Sequence, residues 1–343
     1  MSNYVNITTI TASMAIILNL FLIFIIIYFK NANLGSFKWA LVLLAAFEAS
    51  FAIDLVLAPP YFVVMDGTWM AFSFGTPVSD SIMSYFASLV YCSLHQIWVG
   101  IIAALFIYRY IVICQNSWLT YLETHKPLKY LIGLFYIAHV LVALWCGILL
   151  CEHDPMSEDI RLKVINVSGL AVPKNIDYLA LNPKYLAGYI GYVNHIFVYY
   201  GSVPIYAYCG ISMYRKIKQA SKIVANRDFV ELQRKMFYLV LIQTMTPLML
   251  ANLPFLVVLT FPLWPRHIVF NSTSEMIPLL TTLPKIVDPI AIIFFVPAYR
   301  KAAASLFGCG SKQPSSVQPS MGTTTMVESG LTTATANQTS TNP

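Results

Sequence analysis

Charge is what this sequence lacks. Only 10% of its 343 residues are Asp, Glu, Lys or Arg, against about a quarter in ordinary soluble domains. A water-soluble enzyme of this length needs far more charge to cover its surface, so that class is excluded first. The 15 glycines and 19 prolines show no period, which excludes fibrous repeats. The six cysteines show no metal-ligand spacing. No nucleophile–base motif or phosphate-binding loop stands out either, so neither catalysis nor a cofactor is expected. The net charge of +6 comes mostly from a few short basic blocks. It points to lipid headgroups and a cytosolic partner rather than to nucleic acid.

What the chain has in abundance is apolar side chains, at 58% hydrophobic and 14% aromatic, with a mean hydropathy of +0.67. Residues 10–29, 81–108, 130–151, 185–214 and 236–265 carry no charge at all. Two more apolar stretches, 39–63 and 276–299, are interrupted only by Glu48 and Asp54, and by Lys285 and Asp288. Each can hold the roughly 20 residues that cross a hydrocarbon core. β-Barrel strands would alternate over about 10 residues, a pattern that does not occur here. The expectation is an all-α membrane protein, a seven-helix bundle with helices at about 10–29, 39–63, 82–110, 130–151, 186–213, 236–261 and 276–299. The seven-helix transmembrane domain then spans 1–305. The segment 306–343, rich in Ser, Thr, Gly and Pro, is expected to be a disordered cytoplasmic tail.

Orientation follows from the basic residues. Segments 30–38, 109–129, 215–235 and 300–343 hold 15 of the 21 Lys and Arg, which predicts that they are cytoplasmic and the N-terminus external. Three Asn-x-Ser/Thr sequons, at Asn6, Asn166 and Asn271, fall on the predicted outer side. A fourth, at Asn337, falls in the predicted inner tail. Residues 1–9 hold no Lys or Arg and the first apolar run is long, so a signal anchor is expected rather than a cleaved signal peptide. Cys309 follows a short amphipathic stretch, Tyr299 to Phe307, and is a candidate for palmitoylation.

Polar residues inside a bilayer are costly and face the bundle interior. Asn19, Asp54 and Asp288 are therefore expected to form a buried polar cluster. Lys285 lies three residues before Asp288 on the same helical face and is its expected ionic partner. Pro289, with Pro204, Pro247 and Pro254, interrupts the backbone ladder and offers places to bend. On the third helix, Tyr91, His95 and Trp98 project within about 40° of Arg109, so all four are expected to face inward. The fifth helix carries Tyr185, Tyr189, Tyr192, His195 and Tyr199 as a stripe. Tyr91, His95, Trp98, Tyr192 and His195 make a candidate small-molecule site of aromatic walls with a few polar points.

At the level of motifs the chain resembles the nematode seven-transmembrane chemoreceptors, the serpentine receptors of the Str class, with the Srj and Srd classes as close siblings. Asn33-Leu34-Gly35-Ser36-Phe37-Lys38 leads into the second helix. Tyr91-Cys92 precedes Phe106-Ile107-Tyr108-Arg109-Tyr110 on the third. Leu232-Gln233, Gln243, Pro247 and Pro254 mark the sixth, and Asp288-Pro289 with Tyr299-Arg300-Lys301 marks the end of the seventh. The resemblance covers about residues 10–305. It implies a multi-pass receptor of the plasma membrane, in sensory neurons or cilia, that binds a small-molecule ligand and activates a heterotrimeric G protein. Arg109, Arg215, Lys216, Lys218 and Lys222 are then the candidate coupling residues. A transporter or ligand-gated channel is the alternative, but it predicts paired inverted repeats or a charged pore ring, and neither is visible.

Overall fold

The computed structural model describes residues 2–29, 37–65, 67–73, 81–114, 137, 141, 148, 152–168, 172, 174, 176–182, 184–223, 227–260 and 272–307. Contacts divide the chain into two units, Met1–Ala303 and Ala304–Pro343; only 304–307 of the second are described. Along the chain run α1 (Ser2–Tyr28), α2 (Phe37–Leu57), β1 (Pro60–Met65), β2 (Thr68–Ser73) and α3 (Ser81–Cys114). There follow β3 (Glu152–Pro155), α4 (Glu158–Ser168), β4 (Asp177–Leu181), α5 (Leu186–Ile223) and α6 (Arg227–Pro247). A π-helical turn, Leu248–Asn252, joins α6 to α7 (Leu253–Thr260), before α8 (Ser272–Phe295) and α9 (Pro297–Leu306).

Among the described residues, six stretches are long and apolar enough to cross a membrane: Val5–Tyr28, Lys38–Leu57, Ile82–Cys114, Leu186–Gln219, Phe237–Thr260 and Met276–Phe295. Their outer faces are oily. On α1, Ile10, Met14, Ile17, Leu20, Phe24 and Ile27 are all exposed, a continuous apolar face of a size that water-soluble surfaces do not carry. The helix predicted at 130–151 lies outside the described residues except for Ile137, Leu141 and Ile148, each helical and exposed. Cys146, Cys151, Asn271, Cys309, Asn337 and the tail from 308 also lie outside them.

Several predicted boundaries move. α1 begins at Ser2 rather than near residue 10, which places Asn6 on the helix. α2 stops at Leu57 instead of reaching 63. Its last bond runs from the Ala58 amide to the Asp54 carbonyl at 2.8 Å. Pro59 and Pro60 then forbid continuation, since neither has an N–H and each restricts the residue before it. The expected basic loop at 215–235 is mostly helix, because α5 runs on to Ile223 and α6 starts at Arg227.

The element absent from the sequence-based expectation is a four-stranded antiparallel sheet in the order β1-β2-β4-β3. β1 and β2 form a tight hairpin in which Met65 pairs with Thr68. Gly67 in its turn takes a positive φ of 75°, a conformation that glycine adopts without steric cost. Alternate side chains then part to two faces. Phe62, Val64, Trp69, Ala71, Leu179 and Leu181 join the core of the helical bundle. Tyr61, Val63, Met65, Met70, Phe72 and Tyr178 pack under α4 with Val164. α4 is itself held by Arg161, which donates to the Val172 carbonyl at 2.9 Å. The same guanidinium pairs with Glu158 at 2.6 Å, and that hydrogen bond holds the Glu158 carboxyl below its ordinary range.

The sheet marks one end of the bundle. α2 leads directly into it and α1 runs antiparallel to α2, so the N-terminus of α1 lies at the same end. A second cluster, with Leu22, Ile25, Leu41, Ala45, Ile292 and Tyr299, fills the opposite end.

Candidate functional site

At mid-height the bundle holds polar groups that no water reaches. Glu48, Asn19, His95, Gln96, Lys285 and Asp288 are all fully or almost fully buried. They come from four helices: Asn19 from α1, Glu48 from α2, His95 and Gln96 from α3, Lys285 and Asp288 from α8.

Pro289 explains the role of Asn19. In a regular helix the amide of residue 289 would donate to the carbonyl of residue 285, and proline has no N–H to give. The Lys285 carbonyl accepts instead from Asn19 Nδ2 at 2.9 Å, across from α1 to α8. The same amide nitrogen donates to the Ala15 carbonyl at 2.9 Å. An asparagine thus replaces the missing backbone donor and fastens α1 to the proline break.

The Lys285 ammonium turns toward the sheet end. Its Nζ donates to the Thr281 carbonyl at 2.6 Å and lies 3.8 Å from the Trp98 ring centroid and 3.9 Å from that of Phe51. Both are cation–π geometries, which gain strength without water. Trp98 in turn donates its indole N–H to Glu48 at 3.3 Å. The expected contact between Lys285 and Asp288 is therefore not a simple ion pair. The two share a field, but the Asp288 carboxyl meets that of Glu48. Asp54 is not part of this group; it sits more than a turn and a half further along α2, only half-buried. Glu48 takes the place expected for Asp54.

Toward the sheet, the cluster continues as aromatic rings. His95 hydrogen-bonds through Nδ1 to the Tyr199 hydroxyl, joining α3 to α5. Its ring lies 4.8 Å from Phe255, 5.9 Å from Trp98 and, stacked, 6.2 Å from Tyr91. Tyr91 hydrogen-bonds to Thr281 Oγ1 at 3.0 Å, joining α3 to α8. Phe62 and Trp69 of the sheet stack 5.4 Å apart and reach Phe255 at 5.9 and 6.1 Å. The sheet's inner face is therefore the ceiling of the aromatic cluster. Phe255 is presented by α7, just past the π turn and Pro254, where Leu253 N–H returns five residues to the Leu248 carbonyl.

Of the expected aromatic site, Tyr91, His95 and Trp98 come together. His195 is buried on α5, donates through Nδ1 to the Gly191 carbonyl at 2.8 Å and is within electrostatic reach of His95. Tyr192 is buried one turn earlier. Tyr185 and Tyr189 depart from the expected stripe at 58% and 52% exposure. Tyr199, Phe51, Phe255 and Thr281 complete the arrangement. A further signal was legible, since Glu48 breaks an otherwise apolar helix as plainly as Asp54 does.

Arg109 is buried near the end of α3 away from the sheet. Arg215, Lys216 and Lys218 are exposed on the extension of α5, and Lys216 lies within electrostatic reach of Cys114 at the end of α3. The Lys222 side chain is outside the described residues. Asn6 and Asn166 are exposed, and both belong to the sheet end.

The sequence profile described as "Serpentine type 7TM GPCR chemoreceptor Str" matches residues 5–304. The chain is 26% identical over 304 residues to the Caenorhabditis elegans "G-protein coupled receptor str-33", covering 81% of this chain and 83% of that protein. It is 25% identical over 308 residues to "G-protein coupled receptor str-217" of the same organism, covering 85% and 86%. With the C. elegans "Serpentine receptor class r-10" it shares 23% identity over 307 residues, covering 86% and 87%.

Proposed function

Because this chain belongs to the Str family of serpentine seven-transmembrane G-protein-coupled chemoreceptors, we propose that its ligand is a small molecule held by the aromatic cluster under the sheet. Tyr91, His95, Trp98, Tyr192 and His195 form the expected contacts, with Tyr199 and Phe255 completing the wall. The observation that carries this reading is the His95–Tyr199 hydrogen bond. It places a polar pair among aromatic rings where α3, α5 and α7 converge, the combination of apolar walls and few polar points that small ligands need. Residues 130–151 supply the seventh span, supported by Ile137, Leu141 and Ile148, which fall within about 40° of one another on a helix and are all exposed. The N-terminus and the sheet face outward, in accord with the basic residues gathered at the other end, and the sequons at Asn6, Asn166 and Asn271 carry glycans. The inner end activates a heterotrimeric G protein through Arg109, Arg215, Lys216, Lys218 and Lys222. The receptor acts in the plasma membrane of sensory neurons or their cilia.

The test is calcium imaging of expressing cells, challenged with volatile and water-soluble metabolites. His95→Phe and His195→Phe keep ring volume and remove hydrogen bonding. Agonist potency is expected to shift in at least one of them at wild-type surface levels. Unchanged potency for every active compound in both variants refutes this site.

A further inference from the structure

The buried charges do not balance. Glu48 and Asp288 offer two carboxyl groups against the single ammonium of Lys285, with all three at 1% exposure or less. Fully ionised, the group carries an uncompensated negative charge in a low-dielectric interior, a state too costly to persist. The neighbours do not supply the missing positive charge. Asn19 and the Trp98 indole are neutral donors, and Tyr91 and Thr281 are hydroxyls paired with each other. His95 is buried in the same bundle core and hydrogen-bonds through Nδ1 to the neutral Tyr199 hydroxyl.

The contact pattern shows where the balance is struck. Neither Asp288 oxygen accepts from an N–H or hydroxyl donor, yet the Asp288 and Glu48 carboxyls lie within hydrogen-bonding reach of each other. Two carboxylates have no hydrogen to share. A carboxylic acid and a carboxylate have one, and like charges held this close resist joint ionisation.

We propose that Glu48 and Asp288 bind one proton between them, making the middle of the bundle a proton-binding site that joins α2 to α8. The proton leaves a single net carboxylate charge, which Lys285 neutralises while its ammonium stays over Phe51 and Trp98. Trp98 Nε1 donates to Glu48 and closes the site from α3. Any rearrangement that parts α2 from α8 separates the two carboxyls and must exchange that proton with solvent, so the conformational equilibrium is proton-linked.

Purified full-length receptor in lipid nanodiscs, with Asp54→Asn as background, isolates these two acids. The infrared carbonyl stretch of a buried carboxylic acid is expected near neutral pH and is expected to vanish in E48Q/D288N. At the cell surface, Glu48→Gln and Asp288→Asn each mimic the protonated member and are expected to stay within about threefold of wild type. E48Q/D288N leaves the Lys285 ammonium without a carboxylate and is expected to fall on the order of tenfold or more. Lys285→Met added to that double variant is expected to restore most of the level. Absence of the acid band overturns the proposal. So does a double variant no worse than the singles. A sodium-dependent gain in thermal midpoint that both single variants abolish assigns the site to a metal cation and likewise overturns it.

Discussion

Asn19 and Pro289 should behave as one device, and a double-mutant cycle can show it. Asn19→Ala removes the donor that serves the Lys285 carbonyl at 2.9 Å. Leaving a buried carbonyl unserved costs about 1–3 kcal/mol in soluble proteins, while hydrogen bonds between membrane helices average about 0.6 kcal/mol. The asparagine is fully buried, so we expect a loss of about 1–2 kcal/mol, or a five- to thirty-fold change in the folded ratio. Pro289→Ala restores a backbone N–H in register with the same carbonyl. In that background the asparagine is redundant for this carbonyl, and Asn19→Ala should cost at most half as much. The assay is thermal inactivation of the full-length receptor in nanodiscs, for wild type, both single variants and the double. Additive losses would show that Asn19 acts through packing alone and would refute the reasoning.

Three further outcomes are expected. Stepwise Asn→Gln changes at Asn6, Asn166 and Asn271 should lower gel mass at one or more sites and Asn337→Gln should not; a glycan at Asn337 inverts the proposed topology. Arg109→Ala should reach the surface but lose agonist-driven G protein activation by on the order of tenfold or more, and normal signalling would remove Arg109 from the coupling surface. Gly188→Ala should lower the thermal midpoint, because its Cβ would lie 2.2 Å from the Asn182 carbonyl oxygen; Gly201→Ala, where a Cβ meets nothing within 4 Å, should be neutral in the same melt.

The helical spans and the inward face of α3 could be read from the sequence because they depend on local quantities. Apolar run length decides whether a helix crosses a bilayer, and a 3.6-residue period carries Tyr91, His95 and Trp98 to one side. The same reasoning failed at residues 58–73. The sheet is buried on both faces, between the bundle core and α4, so its strands show no polar alternation. Tyr61-Phe62-Val63 therefore read as the end of a helix, although Pro59-Pro60 and Asp66-Gly67 were visible stop and turn signals.

Charge partners were less legible still. Sequence spacing on α8 pairs Lys285 with Asp288, since three residues separate them on one face. Yet a four-carbon side chain can point along the helix either way, and which way depends on rings contributed by other helices. Phe51 from α2 and Trp98 from α3 draw the ammonium toward Thr281, and Asp288 is left to meet Glu48. Composition and period decided that these residues are buried and on which side of their own helices. Which buried group meets which was decided by packing between segments as far apart as residues 19, 48, 98 and 285, because no rule of local spacing relates positions that only the folded bundle brings into contact.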